Sequence, residues 1–361
     1  MITYYILYAI IALSALLGEK FLKHREKNFF ILLVISLVLF VGLREEIGGD
    51  WGSYHEILNL ASGASLGTAL HILEPGYSLI NWVGSNKFGG IYFPNFVCAL
   101  LAIIPLSIFC RSRANPWLSL VVATPYLIIV VYMGYTRQSA AIGICMLAIL
   151  SLEREHFWSA IGFVMLAALF HLTAAGFFLP TILLSSLPLN WRNALQAALM
   201  AAIAGTYVII LSAGRLNFLF GAYVSEAYVS TPDTNIMQSA GALPRLGLGF
   251  LAGAIFIWLV RQQTLLNSRN GIWTLSALGS FILLPLAFLT STFADRLGLY
   301  FIPLQLHVAN LVEAELKSFV AQQMFRIAVV GLYGAMLTVW LMRSRFAEYW
   351  LPYDNLLFHL F

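Results

Sequence analysis

The chain has 361 residues, of which 60% are hydrophobic and only 10% charged, with a mean hydropathy of +0.84. That is too apolar for a soluble fold, and repeated long runs poor in charge point to a polytopic helical membrane protein. The net charge of +4 is small and the basic residues are scattered, so nucleic-acid binding has little support and the balance reads as membrane topology.

In chain order, the N-terminal MITYYILYAIIALSALLG lacks a positive n-region and a convincing cleavage site, which makes it a retained first helix. Apolar runs able to cross ~30 Å of hydrocarbon, some of them short, follow with it at 2–17, 28–43, 90–110, 116–134, 138–152, 157–170, 172–188, 194–213, 246–260, 271–290, 297–314 and 326–342. The expected fold is therefore an all-α transmembrane bundle of roughly 10–12 helices in a single integral membrane domain over 1–361. From Phe157 to Trp191 there is no Lys, Arg, Asp or Glu, and the stretch is too long for one span, so it is split at His171. Two polar connections remain, 44–88, with short interfacial helices, and 214–244, a candidate lid. Cys98, Cys110 and Cys145 sit in or beside apolar runs and read as small buried hydrophobes.

Lys20, Lys23, Arg25 and Lys27 crowd the first short loop, and Arg111 and Arg113 mark a later one, so both are assigned to the inside. The Arg44 loop, Tyr135–Arg137, His171, 214–245 and Ala294–Arg296 then face outward. The outward bases are Arg44, Lys87, Arg137, Arg215, Arg245, Arg296, Arg343 and Arg345, nearly all arginine, whose planar fork suits phosphate and carboxylate oxygens. Lys87, Arg215, Arg343 and Arg345 read as snorkelling or locally paired charges. Arg137, Arg245 and Arg296 each abut an apolar helix, where an unpaired charge is costly, and read as functional.

The segment REEIGGDWGSYHEI, Arg44 to Ile57, concentrates charge in a chain otherwise poor in it. Gly48 and Gly49 free the backbone just before Asp50. A general base for a sugar hydroxyl needs a carboxylate or imidazole within reach, and Asp50, Glu74 and His171 are the outward candidates, Asp50 the first choice. The plainer alternatives are a helix cap or a bridge to Arg44 for Asp50, a helix flank for Glu74 and a packing role for His171. Arg137 and Gln138, at the mouth of a helix, form a phosphate-site candidate with its first amides. No CxxC, HExxH, GxSxG or Walker pattern occurs, and no metal or cofactor site is read from the residues.

In order, REEIGGDWGSY, EPGYSLIN, YTRQSAAIGI, LFHLTA, LPRLG, ADRLGLYF and WLPYDNLL resemble the EpsG family of membrane proteins, which includes Wzy-type polymerases of exopolysaccharide and O-antigen synthesis. The chain departs from the family's GTDY pattern with GGDW before Ser53 and Tyr54. The resemblance implies a metal-independent glycosyltransferase of GT-C-like architecture in a bacterial inner membrane, its active site facing the periplasm. It would polymerise undecaprenyl-pyrophosphate-linked repeat units, with no cofactor and with a chain-length regulator as a candidate protein partner. The matched motifs give Arg44, Asp50, Tyr54, Glu74, Tyr77, Arg137, Gln138, His171, Arg245 and Arg296 as site residues. Arg137, Arg245 and Arg296 would clamp pyrophosphate, and Trp51, Tyr54 and Tyr77 would bind sugar faces. A flippase for lipid-linked oligosaccharide, and a ligase or single-sugar transferase with another acceptor, are the competing readings.

Overall fold

Hydrocarbon forces every backbone donor and acceptor to be satisfied within its own segment, and runs of this apolarity meet that condition as helices. A computed structural model of the chain describes residues 1–21, 25–88, 90–175, 241–262 and 271–359, and among these there are helices and no strands. In order they are α1 (Ile2–Phe21), α2 (Glu26–Gly42), α3 (Trp51–Ala61), α4 (Leu66–Ala69), α5 (Pro75–Lys87), α6 (Tyr92–Arg111), α7 (Pro116–Ala123), α8 (Thr136–Glu153) and α9 (Phe157–Ala168). Then come α10 (Ala242–Gln262), α11 (Gly271–Leu286), α12 (Ser291–Gly298), α13 (Ile302–Glu315) and α14 (Phe319–Arg343). Tyr92–Arg111, Ala242–Arg261 and Phe319–Arg343 are long and apolar enough to cross a membrane, and Ile2–Leu17, Pro116–Tyr132, Phe157–Ala168 and Gly271–Leu286 are shorter apolar helices. The predicted helix at 194–213, Arg215 and nearly all of the 172–188 and 214–244 segments lie outside the described residues.

The expected helix at 297–314 is in fact broken. A 3-10 turn at Leu299–Phe301 separates α12 from α13, because Pro303 has no N–H to give and is tolerated only in the first turn of a helix. Ala294–Arg296, expected as a turn, belongs to α12. The run at 116–134 also changes character. After Ala123 it continues as a π-helix over Thr124–Tyr132, entered through Pro125, whose ring and missing N–H disrupt the α-pattern. Trp350, beyond α14, donates its indole N–H to the Ile129 carbonyl of this π-helix at 2.8 Å, and Tyr4 donates to the Trp350 carbonyl at 2.8 Å.

The chain forms two compact units, the first Met1–Leu147, Leu166–His171 and Ala309–Phe361, the second Ala148–Met165 and Leu172–Val308. In the first, α7 packs on α1 and α14, and α2 on α6. Gly42 abuts Phe96 while Arg111 lies over the Phe30 ring, so α2 and α6 run antiparallel and Arg25, Lys27 and Arg111 share one end. That same end holds a buried polar network, Glu313 with Arg326, Asn115 and Asn310. The second unit is built on α10 and α11 packed together, with Leu246, Leu283, Leu297 and Phe301 in its core. Cys98, Cys110 and Cys145 are free and buried, as small hydrophobes would be.

Candidate functional site

At the other end of α2, the chain leaves the helix through Leu43 and turns sharply. Gly48 has φ +109°, and a Cβ there would sit 2.7 Å from the Met133 carbonyl, so glycine is required both by the backbone angle and by the close approach. Gly49, which shares the sequence pattern, has no positive φ. This turn carries Arg44 into the interior, 1% exposed, where it donates to the carbonyls of Val41 (2.6 Å) and Ile47 (3.2 Å) and to Thr136 Oγ1 (2.7 Å). Burial pulls its guanidinium down to about 10, which leaves it charged at neutral pH. Arg44 therefore fixes the 44–47 loop against the start of α8, and direct contact with a substrate would require those bonds to be given up.

Asp50 stands at the N-cap position of α3 and is half-buried, without a side-chain cap bond, and Arg44 gives the three hydrogen bonds above to other groups. Trp51, next to it, is half-buried with its ring 5.9 Å from the Arg44 guanidinium. One turn on, Tyr54 is buried against Tyr77 of α5, edge to face at 5.9 Å. Both tyrosine rings are covered by protein, and the Arg137 guanidinium lies over the Tyr77 ring at 5.9 Å, so neither presents an open face to a sugar.

The EPGY motif opens α5, with Glu74 as N-cap and Pro75 in the first turn, where its missing N–H costs nothing. Gly76 and Tyr77 donate their N–H groups to the Leu169 carbonyl at 2.9 and 3.2 Å, and a Cβ on Gly76 would meet Leu169 at 2.9 Å. The close contact at glycine seats the end of α9 on the start of α5. It also brings His171 near enough to Glu74 to bias its charge.

Arg137, in the first turn of α8, donates to Glu74 Oε2 at 2.8 Å, with side chains 27% and 15% exposed. Burial by itself would raise the Glu74 carboxyl, yet the Arg137 guanidinium, with His171 behind it, brings it below the usual carboxylate value. Glu74 uses one edge of Arg137, and the arginine Nε is buried with no hydrogen-bond partner among the described residues. A buried N–H without an acceptor is costly, and an oxyanion beside Glu74 would satisfy it. Gln138, the next residue, is buried.

The first unit thus gathers Arg44, Trp51, Tyr54, Glu74, Tyr77, Arg137 and His171 from four separate stretches of sequence. Arg245 belongs to the second unit, where it forms a two-point bond to Asp295, Nε to Oδ1 at 2.9 Å and a terminal nitrogen to Oδ2 at 2.5 Å. Arg296 is half-buried in the last turn of α12. Sequence reasoning missed Asp295 as the partner of Arg245 and Thr136 as the acceptor for Arg44, although each adjoins a candidate residue. It also missed the Glu313–Arg326 pair, signalled by one acid and one base inside otherwise apolar runs.

A family model described as the EpsG family matches residues 27–355, nearly the whole chain. No curated protein and no solved structure matches.

Proposed function

The chain belongs to the EpsG family, a family of Wzy-like polymerases, and on that premise we propose that it is a membrane glycosyltransferase that joins polyprenyl-pyrophosphate-linked repeat units. The single observation that carries the reading is the Arg137–Glu74 pair, a guanidinium with an unspent N–H beside a carboxylate at a helix mouth. A hydroxyl oxygen of the acceptor unit attacks the anomeric carbon of the donor chain. The new C–O bond forms as the bond to the lipid pyrophosphate breaks, the hydroxyl proton passes to a protein base, and the leaving group departs with the electron pair. Attack in one step inverts the anomeric centre.

The pairing of cation and base sets an order of events. In the resting protein Glu74 is held by Arg137 and is a poor base. Pyrophosphate competes for the guanidinium, and as Arg137 turns to it, the Glu74 carboxylate loses its cation and gains basicity. Glu74 is accordingly preferred to Asp50 as base, with His171 biasing it. Arg44 is a positioning residue. Arg245, held by Asp295, would meet phosphate by the same exchange of one oxyanion for another. The GT-C-like architecture, the undecaprenyl carrier, the inner membrane, the periplasmic face and the chain-length regulator belong to this proposal through the family.

The test is incubation of the purified protein, without nucleotide or added metal, with the matching lipid-linked repeat unit. A ladder spaced by the repeat mass is the expected product, while a folded protein that binds the unit and leaves it unchanged would move the reading to transport or to another acceptor. Asp50→Asn is expected to keep elongating, and a dead protein with intact fold returns the base to Asp50. The pH profile makes a separate prediction. In the free enzyme Glu74 is paired and its carboxyl is depressed, so the acid limb of kcat/KM lies below the ordinary carboxylate range. In the donor complex that depression is relieved, so the acid limb of kcat lies at higher pH. Coincident limbs, or limbs unmoved by Glu74→Gln, would rule out the exchange.

A further inference from the structure

Outside the residues assigned to transfer, Glu45, Asp354 and His359 converge from two distant segments. His359 Nε2 lies 3.1 Å from each oxygen of Asp354 and 3.3 Å from Glu45 Oε2, and one donor atom from each residue falls within 4.8 Å of the other two. Donors sharing one tetrahedral zinc at ~2.0–2.1 Å stand roughly 3.3–3.4 Å apart, so the imidazole already has the spacing that a common ion imposes. The two carboxylates repel at this range, and an imidazole supplies at most one positive charge against their two, whereas a divalent cation offsets both.

The ligand positions are fixed by the backbone. Glu45 N–H donates to the Asp354 carbonyl (3.2 Å), Leu356 N–H to the Leu43 carbonyl (2.9 Å), and Arg44 pairs with Asn355 in an antiparallel bridge. Asn355 N–H donates to Asp354 Oδ1 at 2.7 Å, and the Tyr353 ring stacks on Phe40 at 4.3 Å. The side chains themselves are 34% (Glu45), 42% (Asp354) and 53% (His359) exposed, which leaves an entry path and room for water ligands.

We propose that Glu45, Asp354 and His359 form a binding site for a zinc-class divalent cation, one imidazole and two carboxylates, that clasps the C-terminal segment onto the 44–47 loop. The imidazole selects zinc over calcium, which takes an all-oxygen shell. The ion acts on structure. It secures the loop whose Arg44 is anchored to Thr136, the neighbour of Arg137.

The test is zinc binding by the full-length, tag-free protein in detergent, stripped of metal and titrated with Zn²⁺ against a chromophoric chelator. About one zinc per chain is expected, with His359→Ala and Glu45→Gln each weakening it ~100-fold or more, above the 10–100-fold that loss of an outer-shell partner costs. Zinc should also raise the melting temperature of the parent protein and leave that of His359→Ala unmoved. Absence of zinc binding, equal binding by either variant, or calcium taken in preference overturns the site. Because the readout is metal and not glycan, this result stands apart from the polymerase reading.

Discussion

Arg137→Ala is expected to lower the rate of glycan elongation by about 100- to 1,000-fold, the scale on which removal of one donor to a developing oxyanion acts. The leaving pyrophosphate gains negative charge as the glycosidic bond breaks, and Arg137 offers it a guanidinium that at rest is held by Glu74 on one edge with Tyr77 below. The loss should fall on kcat more than on KM, since charge on the leaving oxygen is greatest in the transition state. Arg137→Lys keeps the charge but not the fork and should recover only part of the rate. The alanine variant also leaves Glu74 without its cation, so the carboxyl returns towards or above its usual range and the acid limb of kcat/KM shifts upward. Parent-level elongation by Arg137→Ala, measured as repeat units added per unit time on the same donor, would remove the arginine from the reaction.

The parts of this molecule that were legible in the sequence are those set by local rules. Run length and the absence of charge marked most of the helices, and Glu74, read as a helix flank, stands as the N-cap of α5. REEIGGDWGSY, EPGYSLIN, YTRQSAA and LFHLTA were each visible as polar interruptions, and the first unit brings residues from all four together. What stayed hidden depends on partners far apart in the chain. Nothing local in LPRLG and ADRLG tells that Arg245 pairs with Asp295 when Arg296 stands beside it. Nor does REEIGG tell that Arg44 turns inward to carbonyls while Glu45 meets Asp354 and His359. The π-helix at Thr124–Tyr132 is half hidden in the same way, because Pro125 marks its entry locally while the indole that satisfies the Ile129 carbonyl, Trp350, lies more than two hundred residues away.

At the opposite end of the first unit, Glu313→Ala is expected to destabilise the protein by roughly 3–5 kcal/mol, the cost of leaving a buried charge without its partner. Arg326 and Glu313 are 6% and 7% exposed, and the arginine Nε donates to Glu313 Oε1. Asn115 donates to both carboxylate oxygens at 3.1 Å while its own side chain caps α7 through the Leu118 N–H. Its backbone N–H goes to Asn310 Oδ1 at 2.7 Å, and Asn310 donates to Ser119 at 2.8 Å. Truncating Glu313 therefore takes the buried carboxylate from the Arg326 guanidinium and loosens the cap of α7 together, and the α7 run packs on α1 and α14. Arg326→Ala strands the carboxylate instead and should cost a similar amount. Replacing both by apolar residues of like volume, Glu313→Leu with Arg326→Met, removes the two charges at once and should recover most of the loss. Thermal or denaturant unfolding in detergent reads all four proteins, and the double variant distinguishes the explanations. If it is no more stable than either alanine variant, the pair matters for shape and hydrogen bonding more than for charge balance. If the single variants unfold like the parent, water must reach this network freely and the burial argument fails.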